Sequence, residues 1–268
     1  MAPSNPGTAL ITGATAGIGA TFAHHLARAG QDLVLVARDG ERLDAVAAEL
    51  TGRHSIKATT LVADLTTDEG LAAVERVLRE QRIDLLVNNA GLSLNKSFLR
   101  STLEEEMQLM RLNVLAVLHL TDAALPAMLA RGSGEIINVS SVSGFAATMP
   151  GSTYPASKAW VTSFSEAVGM ASRSRGVRVM ALCPGFTRTE FHQRAGISTG
   201  KMPDFLWLQA DDVVEAALRD LRKGKLVSVP SVRYKVAVTA LKLTPRSLLH
   251  RFSARGASRL GRTVGDSQ

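Results

Sequence analysis

The sequence predicts one α/β domain built on a doubly wound parallel sheet. Three observations carry that expectation. Apolar, strand-like runs alternate with amphipathic helical stretches six times, a glycine-rich turn joins the first run to the first helix, and polar or reactive residues recur where the strands end. Strands separated by helices pair in parallel through right-handed crossovers, which places ligand chemistry at the carboxyl ends of the strands. A chain of 268 residues is long enough to bury one large core of this kind.

Residues 8–12 (Thr-Ala-Leu-Ile-Thr) read as the first buried strand. They run straight into Gly13-Ala14-Thr15-Ala16-Gly17-Ile18-Gly19 and a helix over 18–29 that Gly30 stops. Glycines admit close backbone approach, and a helix N-terminus offers unpaired N–H groups with a positive dipole end, so the junction suits a phosphate. Its spacing is G-x-x-x-G-x-G, not the common G-x-G-x-x-G.

Residues 32–37 form the next strand. In a dinucleotide fold its end reads the adenosine ribose, and an acid there would repel a 2′-phosphate. Ala37 stands at that point and Arg38 follows, and a guanidinium suits a phosphate. Asp39 directly afterwards works against this preference, and an exposed loop cation is the other reading of Arg38. A helix over 41–50, a strand over 59–63 ending at Asp64-Leu65, and a helix over 67–81 come next.

The fourth strand, 83–87, ends at Asn88-Asn89-Ala90-Gly91, and a long helix over 104–129 contains Asn113, which the pattern alone leaves facing solvent. Residues 136–140 make the fifth strand, with Ser141 delivered at its end. Tyr154 and Lys158 lie four apart at the head of a helix over 156–173, with Pro155 suited to the first turn. A free phenol titrates near ~10, and an ammonium one turn away would favour the phenolate and bring it toward neutral pH. Strand 177–182 leads to Pro184-Gly185.

Together these residues resemble the short-chain dehydrogenase/reductase family. Thr12-Gly13-x-x-x-Gly17-Ile18-Gly19, Asn88-Asn89-Ala90-Gly91, Asn113, Ser141, Tyr154-x-x-x-Lys158 and Pro184-Gly185 appear in the family's order over roughly 8–190. The resemblance implies a Rossmann-like domain that exchanges hydride between NAD(P)(H) and a carbonyl or alcohol carbon. Tyr154 would be the general acid/base and Lys158 would lower its pKa and hold the nicotinamide ribose. Ser141 would hydrogen-bond the substrate oxygen, and Asn113 would place a water in the proton path. Gly13, Thr15, Gly17, Ile18 and Gly19 would cradle the cofactor phosphates, Asp64 and Leu65 would border the adenine, and Asn88, Ala90 and Gly91 the adenosine side. Pro184, Gly185, Thr187 and Thr189 would line the nicotinamide end. Ser140 and Ser143 are expected to be structural hydroxyls. With Arg38, the expected cofactor is NADP(H) and the expected direction reductive. An NAD-linked dehydrogenase working oxidatively and a non-catalytic nucleotide sensor are the alternatives. No metal site is expected. Relatives commonly pair through the helices carrying Asn113 and Lys158, so a homodimer or homotetramer is the family expectation.

The segment 186–210 is irregular and carries Phe186, Phe191, His192, Phe205, Leu206 and Trp207. In the family this region covers the substrate; its aromatics read either as a pocket for a lipophilic ketone or as ordinary packing. Asp211-Asp212 is expected to cap a helix through about Arg222, and 225–230 to supply the last strand. The catalytic domain thus spans 1–230, and 231–268 is an extension.

The formal net charge of +7 is unevenly placed. Eleven Lys/Arg and no Asp/Glu fall between Arg222 and Gly265, leaving 20 basic against 23 acidic residues before them. A slightly acidic body argues against nucleic acid as partner. Arg251, Arg255, Arg259 and Arg262 share one side of a helical wheel, opposite Leu249, Phe252, Ala257 and Leu260. Three readings stand: this face packs on its own domain or a sister subunit, it lies on an anionic bilayer, or it meets an acidic partner. The single Cys183 forms no intramolecular disulfide, and the first seven residues lack a basic and apolar leader pattern, so a cytoplasmic location is expected.

Overall fold

The computed structural model describes residues 7–94, 96–146, 153–190, 203–245 and 249. Seven strands form one parallel sheet: β1 (Thr8–Thr12), β2 (Asp32–Ala37), β3 (Ala58–Val62), β4 (Leu85–Asn88), β5 (Gly134–Val139), β6 (Val177–Leu182) and β7 (Val227–Ser228). Their order is β3-β2-β1-β4-β5-β6-β7, so the winding reverses between β1 and β4. That switch point opens a crevice at the carboxyl ends of the strands.

Helices α1 (Gly17–Arg28), α2 (Gly40–Arg53), α3 (Asp68–Glu80), α4 (Leu103–Met110), α5 (Ala116–Arg131), α6 (Tyr154–Ser172), α7 (Ala210–Arg222) and α8 (Val232–Leu243) cover the sheet. Two apolar layers result. One packs α1 and α7 on one side of the sheet around Ile11, Phe22, Leu35 and Val213; the other packs α3 and α5 around Leu10, Val74, Leu86 and Leu120. Strand residues buried on both faces explain why β1, β2 and β6 are dominated by apolar residues, with exposed Arg178 the exception in β6.

Three expectations change. The last strand is only Val227–Ser228. Asp211 and Asp212 sit in the first turn of α7 without capping it; the residue before the helix is Gln209, and Asp211 instead meets His25 Nε2 at 2.9 Å. The long helix is broken by a π-helical turn, Arg111–Leu115, between α4 and α5. The stretch Leu103–Arg131 contains an 18-residue window of mean hydropathy 1.5, long and apolar enough by composition to cross a bilayer. Its Val117, Leu120, Ala123, Ala124 and Met128 are nevertheless core residues of this fold.

Past β7, Tyr234 and Val238 of α8 join the main core. The basic face proposed for 251–262, and Phe191 and His192, lie outside the described residues.

Candidate active site

The crevice is built first by the β1–α1 turn. Gly13 and Ala14 donate their N–H groups to the Val36 carbonyl at 2.8 and 3.2 Å, which pins the turn to β2. Gly13 and Gly17 have φ of +67° and +55°. A Cβ on Gly19 would lie 2.3 Å from the Gly13 carbonyl oxygen and 2.4 Å from Asn89 Nδ2, so only glycine lets α1 start this close. Asn89 Nδ2 donates to the Thr12 and Gly13 carbonyls at 2.9 and 3.2 Å, and Thr12 Oγ1 accepts from Asn89 N and Ala90 N, each at 3.0 Å. The two predicted turns are therefore one hydrogen-bonded unit across the switch point. Helix α1 begins without a side-chain cap and without an acid in its first turn. Its leading N–H groups and bare glycine backbone are suited to an anion such as a dinucleotide pyrophosphate. Thr15 takes part through its carbonyl, which accepts from Arg42 Nη2 at 3.3 Å, and Ile18 packs toward the core.

At the ends of β2 and β3, Arg38 is largely exposed and its Nη1 lies 3.8 Å from Asp64 Oδ2. Burial pushes the Asp64 carboxyl up, but bonds from the Thr66 N–H and hydroxyl, with Arg38 nearby, hold it below its ordinary value. Asp39 accepts from Arg42 N and caps α2, so the acid that weakened the phosphate reading of Arg38 has a structural task. Leu65 is buried. A second guanidinium, Arg42, reaches Glu190 Oε1 and Oε2 at 2.9 and 3.2 Å.

The reactive hydroxyls meet at the ends of β5 and α6. Ser141 hydrogen-bonds the Tyr154 phenol. Ser143 orients it, donating from N and Oγ to Ser141 Oγ at 3.1 and 3.0 Å. Ser140 ties β5 to α6 by donating to the Lys158 carbonyl at 2.7 Å, with Thr162 Oγ1 at 2.8 Å. Lys158 is 4% exposed; its ammonium donates to the Val139 carbonyl at 2.9 Å and stands 5.7 Å from the centre of the Tyr154 ring. Burial pulls the Lys158 pKa down to about 8. Tyr154 keeps some surface in solvent, yet protein packed around the phenol pushes its pKa up to about 12, only partly offset by Ser141. The expectation that the ammonium lowers the phenol is therefore not met here: it is engaged by a backbone carbonyl, beside the ring and not at the hydroxyl.

Asn113 sits in the π-turn and is fully buried, not solvent-facing. Its amide accepts from Leu92 N and donates to Leu92 O, both at 2.9 Å, and reaches Ser157 Oγ at 3.3 Å. The extra residue of such a turn re-aims a side chain that an ordinary helix would present elsewhere. A Cβ on Gly91 would approach Asn113 Oδ1 to 3.1 Å and Lys158 Nζ to 3.4 Å, so Gly91, Asn113 and Lys158 converge.

Asn88 is the predicted residue that the structure takes elsewhere. Its Nδ2 donates to Asn138 Oδ1 at 2.9 Å and lies 3.4 Å from Thr121 Oγ1, and Asn138 continues to Ser165 at 3.0 Å. That is a polar network inside the core, and its neighbour Asn89 makes the contact with the glycine turn.

Beyond β6, Pro184 accepts at its carbonyl from Val142 N at 3.0 Å, and buried Thr187 donates to the Gly185 carbonyl at 3.0 Å. Thr189 rests on the glycine turn, since a Cβ on Gly17 would come within 3.0 Å of it. Phe186, itself partly exposed at 39%, meets Trp207 edge to face at 6.1 Å, and Phe205 is exposed at 61%. Sequence reasoning missed Asn89, Arg42 with Glu190, Glu106 and Tyr234. Asn89 lay within the quoted motif; Arg42 and Tyr234 carry no local signal because Glu190, Phe186 and Leu206 are distant in the chain, and Glu106 is joined to Thr153, 47 residues away.

The family model for short chain dehydrogenase matches residues 7–198. An oxidoreductase of Staphylococcus saprophyticus is 34% identical over 226 residues, 84% of this chain and 94% of that protein. A short-chain dehydrogenase from Sphingobium yanoikuyae, solved in complex with NADPH, superposes with TM-score 0.80 at 39% identity over 97% of each chain. A bulky-bulky ketone specific alcohol dehydrogenase from Comamonas testosteroni gives 0.78 at 31% identity, covering 99% of this chain and 98% of that one. A glycine cradle at the switch point, with a serine, a tyrosine and a buried lysine beside it, thus belongs to a chain of known kind: the protein is a member of the short-chain dehydrogenase family, an oxidoreductase that uses a nicotinamide cofactor.

Proposed function

We propose that this protein is an NADP(H)-dependent carbonyl reductase acting on a lipophilic ketone, with Tyr154 as its proton donor. The observation that carries the reading is the Ser141–Tyr154 hydrogen bond with buried Lys158 behind it, beside the glycine turn. NADPH, when bound, supplies the hydride. Tyr154 gives its phenolic proton to the substrate oxygen, and Ser141 donates a hydrogen bond to that oxygen as charge develops on it. Fixed donors aimed at developing charge are commonly the largest electrostatic contribution to such a reaction. Lys158 carries positive charge on the far side of the phenol and contacts the cofactor ribose. Asn113 holds Leu92, and with it the turn after Gly91, against the same site. The glycine turn takes the pyrophosphate, Asp64, Leu65 and Ala90 border the adenosine, Pro184, Gly185, Thr187 and Thr189 form the nicotinamide end, and Arg38 takes the 2′-phosphate.

Two finer points belong to the same proposal. Phe186 and Trp207 at the mouth support an apolar substrate. The exposed Leu103, Met107, Leu115 and Leu118 on the α4–α5 face and Met170 on α6 support a homo-oligomer. The working assignment is a cytoplasmic enzyme whose domain includes helix α8, which joins the main core through Tyr234 and Val238, with the basic tail beyond it making peripheral contact at an anionic membrane surface.

The test is NADPH oxidation with a panel of aryl and long-chain ketones. Wild-type protein should turn over at least one, and Tyr154→Phe should lose at least about a thousandfold in kcat while binding NADPH within about twofold of wild type. Near-native turnover by the variant would remove Tyr154 from the reaction.

A further inference from the structure

The Tyr234 side chain, on α8 beyond residues 7–198 matched by the family, holds together two segments that flank the nicotinamide end of the site. Its hydroxyl accepts from Phe186 N at 3.1 Å and donates to the Leu206 carbonyl at 2.7 Å. Its ring lies flat against the backbone of Gly185: a Cβ there would come within 2.1 to 2.4 Å of three ring carbons. The same two segments are zipped beside it. Leu208 N donates to the Phe186 carbonyl at 2.8 Å, Arg188 N donates to the Leu208 carbonyl at 2.9 Å, and Thr187 forms a parallel bridge with Leu208. Neighbouring residues of α8 reach the same surroundings. Arg233 donates to the Phe205 carbonyl, and Lys242 stands 4.8 Å from the centre of the Phe145 ring, four residues past Ser141.

We propose that Tyr234 is a positioning residue for the substrate end of the active site, fixing the Gly185–Arg188 strand against Phe205–Leu208 so that Phe186 and Trp207 face the reacting carbonyl. This rests on the carbonyl-reductase reading for its substrate, but the geometry of the staple does not. One phenol satisfies one donor and one acceptor from segments twenty residues apart. Gly185 is then glycine because a side chain would displace the tyrosine ring.

Tyr234→Phe keeps the ring on Gly185 and removes only the hydroxyl. The expected result is a rise of at least about fivefold in KM for the ketone with kcat and the Kd for NADPH within about twofold, because two intramolecular hydrogen bonds are lost. Amide hydrogen exchange of full-length protein should accelerate about fivefold in peptides covering 185–190 and 203–209 and stay unchanged in β1, β4 and β5. Unchanged exchange in those two segments overturns the proposal, whether or not a ketone substrate has been found. An equal fall in kcat and thermal midpoint with no change in KM also overturns it, because that is the signature of a core tyrosine alone. If wild-type protein reduces no ketone while the exchange effect appears, the staple stands and the reductase reading is the part that fails.

Discussion

Lys158 Nζ stands 5.7 Å from the centre of the Tyr154 ring and spends its hydrogen bond on the Val139 carbonyl. The amine is buried, and burial pulls its pKa from 10.5 to about 8. A group depressed in this way weakens the fold wherever it is protonated. Below pH 8 both folded and unfolded chains carry the charge, so the full desolvation cost is present. Between pH 8 and 10.5 the unfolded chain binds the extra proton, and stability contributed through this residue rises with pH.

Lys158→Met is therefore expected to abolish turnover and to stabilise the protein at pH 7, on the order of 2 kcal/mol after the lost Val139 bond is discounted. The gain should shrink as pH rises from 8 to 10.5. Tyr154, raised to about 12, lowers stability above pH 10 in both proteins and cancels from the comparison. Urea unfolding of both proteins at pH 7 and pH 10 checks this; a difference that grows with pH would contradict the assignment.

Arg38 is exposed, with an ion pair to Asp64 at 3.8 Å, too open to add much stability. Arg38→Ala should leave the thermal midpoint within about 1 °C and raise KM for NADPH about tenfold, with KM for NADH unchanged. Steady-state kinetics with both cofactors decides it, and equal effects on the two would take Arg38 out of phosphate recognition.

Where a residue's task is local, the chain announced it. Residues 32–37 and 177–182 are bounded by charged or glycine positions and filled with apolar ones, and both strands appear with those limits. The glycine turn needed only its own spacing and the helix after it. Tasks set by distant neighbours were not legible. Nothing local distinguishes Asn113 from a surface asparagine, because its burial comes from a π-turn and from Leu92 twenty-one residues away. Tyr154 and Lys158 were rightly placed on one helix face, but the direction of the phenol's pKa depends on packing around it and on a carbonyl of β5. Asn88 was placed at the adenosine side by resemblance to the family; which way its amide points is decided by Asn138 across the sheet.

Glu106 illustrates the same limit and yields a further prediction. It is 4% exposed on α4 and accepts from Ser101 Oγ at 2.6 Å and from Thr153 Oγ1. Thr153 is the residue immediately before Tyr154 at the start of α6. Glu106→Ala would leave both hydroxyls without this acceptor, costing about 2 kcal/mol. Glu106→Gln keeps the shape and one acceptor oxygen and should cost less than half as much. If the carboxylate positions the catalytic helix, kcat should fall about fivefold in the glutamine variant, with KM for NADPH unchanged. Denaturant unfolding together with steady-state rates separates this from simple destabilisation, which would leave kcat of the folded fraction intact.

Eleven basic and no acidic residues lie between Arg222 and Gly265. Helix α8 enters this stretch with Val232, Val236 and Leu243 exposed at 73%, 64% and 79%. An apolar stripe within a basic segment is suited to an anionic bilayer surface, where each cation near the headgroups contributes about 1 kcal/mol. Full-length protein should then co-sediment with phosphatidylserine-containing vesicles at 20 mM salt and be released by about 0.5 M, because the Debye length shortens from roughly 20 Å to about 4 Å. Replacing Arg251, Arg255, Arg259 and Arg262 with glutamate should abolish binding and leave ketone reduction within about twofold. Retention by the reversed variant, or no binding at low salt, would assign the tail to its own domain or to a sister subunit instead.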